Sequence, residues 1–154
     1  MDEISRIHDQ LKRAFEGEAW HGPSLKELLS VVTAEAAAAR PLAGAHSIWE
    51  IVLHITAWKR TGIRMLSGEE VELSTEEDWP PVLDQGNAAW QQTLQTLDTT
   101  QNELRNAISG FSGSQLDQPV PGPRRYSAYF LMHGIIQHDL YHAGQIALLR
   151  KGSA

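Results

Sequence analysis

The sequence contains no cysteine. That excludes disulfides, thiolate-bound zinc or iron–sulfur clusters, and a catalytic thiol supplied by the chain itself. Positive charge is scarce: 13 Lys and Arg stand against 19 Asp and Glu, for a formal net charge of −6. Duplex binding needs a basic surface, so nucleic acid is not an expected partner. Long hydrophobic runs are missing too, and the apolar stretches are too interrupted to span a bilayer. The first residues, Met1-Asp2-Glu3-Ile4-Ser5-Arg6, hold no signal-peptide core, so a cytoplasmic location away from membranes is expected. Hairpin dipeptides and sustained period-2 alternation are absent, which argues against a sheet. What is there is 154 residues, 42% hydrophobic and 21% charged. That composition fits one globular domain over residues 1–154 with a single core.

Helical periodicity dominates. Ile4, Ile7, Leu11, Ala14 and Phe15 predict a first helix that ends near Gly17. Ser24-Leu25-Lys26-Glu27 and Ser47-Ile48-Trp49-Glu50 are capping boxes, opening a short helix and a long one to about Leu66, closed by Gly68. A second short helix fits Ala34 to Ala39 before Pro41. Residues 69–83, with Glu69, Glu70, Glu72, Glu76, Glu77, Asp78 and Pro80-Pro81, predict a long solvated crossover. Asp84 is the expected cap of a helix to Ser109, residues 112–125 are irregular, and a last helix runs from Ser127 to Lys151. Four long helices separated by two long connections predict an all-α fold: a four-helix bundle with long crossover connections.

Seven histidines are the informative excess. At roughly 100° per residue from Phe130, His138 and His142 fall near 80° and 120°, in one row with Leu131 and Leu149. Two imidazoles one turn apart can share one metal ion. His133 falls far from that row. Asp139 falls near 180° by the same wheel, on the side that carries Arg150, and is expected at the surface or behind the ligands. On the second long helix, His54 lies at the edge of the apolar stripe, beside Trp58 and Met65. Three imidazoles from two facing helices would hold a divalent ion with coordination positions open. Spacing alone leaves a second reading: Gln137, Tyr141 and Gln145 could satisfy buried histidines without metal.

Three segments carry a family resemblance: Ala19-Trp20-His21-Gly22-Pro23-Ser24, Ala45-His46-Ser47 through His54 to Trp58, and Gly134 through His138-Asp139-Leu140-Tyr141-His142 to Ile146. Together they resemble the DinB/YfiT-like superfamily. The resemblance implies a four-helix bundle in an up-down-down-up arrangement, often a homodimer, with a divalent metal on three histidines that map to His54, His138 and His142. It also implies chemistry on small molecules, since members include bacillithiol- or mycothiol-using S-transferases and a mycothiol-dependent maleylpyruvate isomerase.

A three-histidine site with an open position can acidify a water or a thiol. With no cysteine in the chain, the thiol would be a low-molecular-weight cosubstrate. The expected activity is therefore a metal-dependent thiol S-transferase. The alternatives are a metal-dependent hydrolase and a non-catalytic ligand- or metal-binding bundle. Imidazole ligands suit zinc or nickel first, with iron or manganese as further candidates. Asp139 follows His138 as the Glu follows the first His of His-Glu-x-x-His, which makes it a candidate acid–base residue. Tyr141, placed mainly in the core, and His21, in a loop, are further catalytic candidates, and His46 could also approach the cavity. Trp58, Gln145 and Arg125, the last beside Arg124, are candidates for holding a cofactor or an anionic thiol.

Overall fold

Serine caps decide where most helices begin. In the computed structural model of the chain, which describes residues 1–122 and 125–152, the helices are α1 (Glu3–Phe15), α2 (Leu25–Leu29), α3 (Ala34–Ala38), α4 (Ile48–Leu66), α5 (Thr75–Asp78), α6 (Asn87–Ser109) and α7 (Ala128–Gly152). A 3₁₀ turn covers Gly113–Gln115, and one isolated bridge pairs Pro119 with Ser127. Both predicted capping boxes form: the Ser24 and Ser47 hydroxyls accept the Glu27 and Glu50 amides, whose carboxylates accept back at 2.8 Å. A third box, Ser74 with Glu77, opens α5 inside the acidic connection. Each such cap contributes about 1 kcal/mol.

The start of α6 differs from the expectation. Gly86 takes the cap position without a side-chain bond, and Asp84 sits two residues too early. Its carboxylate accepts the Gly86 amide at 2.8 Å instead, closing an Asx turn before the helix. At the other end of α4, Gly68 adopts φ +96°, the left-handed step that only glycine takes without strain.

α4 is the central rod, packed against α6 and α7, while α1 covers α6 and α7 from the other side. Along α4 and α6, Trp49 donates to Thr93 at 3.0 Å and Lys59 to Gln101 at 2.9 Å. Against α7 the order reverses: His54 lies beside His142, Lys59 beside Asp139 and Gly62 against Ile135. The core forms two apolar halves. One gathers Leu25, Leu28, Trp49, Val52, Trp90 and Ile146; the other gathers Ile7, Leu11, Met65, Leu104, Met132 and Ile135. Trp90 is 1% exposed, and its indole N–H reaches the Val32 carbonyl at 2.9 Å, so its burial leaves no unmet donor. Among the described residues no helix is long and apolar enough to cross a membrane.

Between the two halves lies a polar layer that the helical wheel misplaced. Asp139 is fully buried, and its Oδ2 accepts from Lys59 Nζ at 2.5 Å, with Lys59 also 1% exposed. The reason lies in α7, which is apolar nearly all round. Its buried positions, from Ala128 and Ile135 to Ala143 and Ile146, centre on the Asp139 direction, and the lone Arg150 gave a false polar side. Burial pushes the Lys59 ammonium down and the Asp139 carboxyl up from their ordinary values, and their mutual attraction opposes both shifts. Lys59 further bonds Gln101 and stands 5.2 Å over the Phe15 ring.

Removing one partner of such a pair strands a polar group in the core, at a cost of about 3–5 kcal/mol. Lys59→Ala is expected to lower stability by about that amount in urea unfolding. The double change Lys59→Met with Asp139→Leu is expected to recover most of it, because neither half of the pair is left behind.

Candidate metal centre

Helix α4 delivers His54 and helix α7 delivers His138 and His142, all at the level of the polar layer. The i, i+4 spacing stacks the two α7 imidazoles on one face, and the ring centroids lie 4.4 Å apart. Across the helix interface the His54 ring lies 4.9 Å from each of them. The three rings meet through the same atom type. His138 Nε2 is 3.0 Å from His54 Nε2 and 3.1 Å from His142 Nε2. Ligand atoms of all three lie within 4.8 Å of one another.

Second partners assign the protons. His54 Nδ1 donates to the Asp78 carbonyl at 2.7 Å, with the Asp78 carboxylate at 3.0 Å. His142 Nδ1 donates to Gln145 Oε1 at 2.6 Å. A neutral imidazole with its proton on Nδ1 carries a lone pair on Nε2. Two lone pairs therefore point at His138 Nε2, and one proton there could bridge only one of them. A divalent cation satisfies all three nitrogens, at Zn–N distances of about 2.0–2.1 Å. The donor set fits such an ion.

Electrostatics agree. Burial pushes the His138 imidazole down from 6.5 to about 3, and His142, His54 and Lys59 add to the fall. Burial also lowers His54 and His142, against the opposing pull of Asp78 and Gln145 respectively. In each ring the lowering favours the neutral imidazole, the form that binds metal.

The sequence profile of the DinB superfamily matches residues 19–146. The chain belongs to the DinB superfamily. Its fold is similar to the crystal structure of the conserved protein of locus from Enterococcus faecalis, with a TM-score of 0.72 at 15% identity, covering 99% of this chain and 97% of that one. No curated protein matches it.

In this DinB chain the acidic connection does more than cross over. α5 and the residue after it form a strap across the histidines. The Asp78 carboxylate accepts the Trp58 indole N–H at 2.7 Å while its carbonyl holds His54. Trp79 lies flat on His54 at 3.9 Å, and His46 lies flat on the far face of Trp79 at 3.6 Å. Sequence reasoning passed over Asp78 and Trp79, although the Ser74-x-x-Glu77 box was a readable sign of local order. It also passed over Lys59 and Gln101.

The remaining candidates separate. Gln145 accepts the His142 Nδ1 proton. Trp58 is half-buried and lines a cavity next to His138. His46 comes near through Trp79 rather than through the nitrogen cluster. Tyr141 is 67% exposed and does not pack in the core; its position faces outward on α7, against the expectation. Asp139 points into the bundle at Lys59, away from the nitrogens. His21 lies exposed in the loop after α1. Arg125 is exposed at the rim of a second cavity, and Arg124 lies outside the described residues.

With His138 at about 3 folded and 6.5 as its ordinary value, the unfolded chain takes up a proton that the folded chain refuses across that window. The metal-free protein is therefore expected to lose stability as pH falls from about 6.5 towards 3. Urea midpoints across that range check it, and His138→Gln is expected to flatten the dependence.

Proposed function

We propose that this DinB-superfamily protein is a divalent-metal-dependent enzyme of the thiol S-transferase type, acting at His54, His138 and His142. The observation that carries the reading is the convergence of their Nε2 atoms with Nδ1 protons held at His54 and His142. Zinc or nickel is the favoured ion. A bound divalent ion would supply Lewis acidity, lowering the pKa of a thiol that enters the site. The chain's own residues set the stage for it. The Asp78 carbonyl and Gln145 Oε1 hold the Nδ1 protons, and Trp79 covers one face of His54.

The place of Asp139 favours thiol chemistry over hydrolysis. Activating water at a His-Glu-x-x-His site relies on a carboxylate beside the ligands. Here the carboxylate in that sequence position is buried against Lys59. The Asp78 carboxylate is engaged with Trp58 and His54. A thiol ionises far more readily than water, so it needs no such base. With no cysteine in the chain, it comes from a small cosubstrate.

The path of the bundle is read as up-down-down-up. Support comes from α4 running alongside α6 in the same order and against α7 in the opposite order. A homodimer is part of the proposal, with the outward face of α7 as its surface, where Tyr141 and Leu148 stand 67% and 65% exposed. The proposed setting is the cytoplasm, with a small molecule as substrate and neither nucleic acid nor membrane as partner.

Protein purified without affinity tag or chelator is expected to carry about one divalent ion per chain by elemental analysis, and His138→Ala to carry none. Gln145→Leu is expected to weaken metal affinity by about 10–100-fold, because it removes only the acceptor behind His142. Metal-loaded protein is expected to conjugate a small thiol to an electrophile. Turnover of esters without thiol would make it a hydrolase instead, and metal retention with no turnover of either kind would make it a binding protein.

A further inference from the structure

Beside His138 the surface opens into a cavity of about 210 Å³, lined by Trp58, Tyr126, Phe130, Leu131, Gly134, Ile135 and the His138 ring. Its walls are almost wholly carbon. The one indole N–H on its edge, from Trp58, is already given to Asp78. Gly134 stands one turn before His138 on the same helix, and a Cβ added there meets nothing within 4 Å. The α7 backbone is thus bare of side chain where it borders the cavity. An adjoining space of about 300 Å³ shares Trp58, Tyr126 and Leu131 and runs out to Arg125. A dry cavity of about 150 Å³ is enough for a benzene ring.

We propose that this cavity seats an aromatic ring carried by the substrate, set beside His138 with the reactive end towards the imidazole nitrogens. The inference rests on the metal-centre reading and adds the substrate class to it. Recognition comes mainly from burial and ring packing, because the lining is dominated by the Trp58, Tyr126 and Phe130 rings and aliphatic carbon, and the Trp58 N–H is already given to Asp78. Trp58 then serves two ends: its N–H fixes the strap over His54, and its ring walls the cavity.

Benzyl mercaptan and 2-mercaptoethanol present the same thiol with and without the ring. In titrations of zinc-loaded protein followed by amide and indole NMR signals, benzyl mercaptan is expected to bind at least about tenfold more tightly, a difference that burying one ring readily supplies. It is expected to move the Gly134 amide and the Trp58 indole N–H. Gly134→Leu fills the space while raising helix propensity. It is expected to keep its zinc and its 2-mercaptoethanol binding and to lose the benzyl advantage, with Gly134→Ala in between. Equal binding of the two thiols, or an unaltered preference in Gly134→Leu, would overturn the proposal. Failure of wild type to hold zinc would strike the metal-centre reading instead. The cavity is then judged by benzyl alcohol on metal-free protein: shifts at Gly134 and Trp58 support it, and none refutes it.

Discussion

The placement of two protons governs this site. An imidazole can offer a lone pair at Nε2 only if Nδ1 keeps its hydrogen, and a hydrogen-bond acceptor behind the ring is what keeps it there. The Asp78 carbonyl does so for His54, and Gln145 does so for His142. Without those acceptors the three rings could turn or exchange protons and settle as an ordinary hydrogen-bonded cluster. With them, the His54 and His142 Nε2 atoms each lie about 3 Å from His138 Nε2 at the α4–α7 interface, and a cation is their natural complement.

The rest of the architecture reads as support for that placement. Lys59, Gln101 and Asp139 tie α4, α6 and α7 together at the level of the histidines. Because Asp139 directly follows His138, the buried pair also holds the rotation of α7 that presents both of its histidines. Such a layer adds little net stability, since desolvation offsets attraction, but it penalises any slip of one helix past another. The strap of α5 and Trp79 completes the frame from outside, with its own capping box keeping Asp78 in reach.

Much of this was legible in the chain because the signals are local. Ser-x-x-Glu boxes mark the starts of α2, α4 and α5. The i, i+4 histidines announce themselves, and the edge position of His54 is plain against a well-defined apolar stripe. Legibility failed where the partner is distant or the pattern is flat. Lys59 and Asp139 are 80 residues apart, and nothing near either one reveals the pair. Helix α7 has apolar residues on almost every side, so its wheel carried little direction, and Asp139 and Tyr141 were placed on the wrong faces. The acidic connection reads as solvated by composition, yet Asp78 and Trp79 within it contact His54 directly. Only the fold brings those residues together.

The most direct test of the account is the protonation state of the imidazole nitrogens, read by long-range proton–nitrogen NMR on the zinc-titrated protein. The account predicts that His54 and His142 keep a proton on Nδ1, and that one equivalent of zinc shifts the Nε2 signals of His54, His138 and His142 together. A proton on Nε2 of His54 or His142 in the zinc-treated protein, or three Nε2 signals indifferent to zinc, would contradict it.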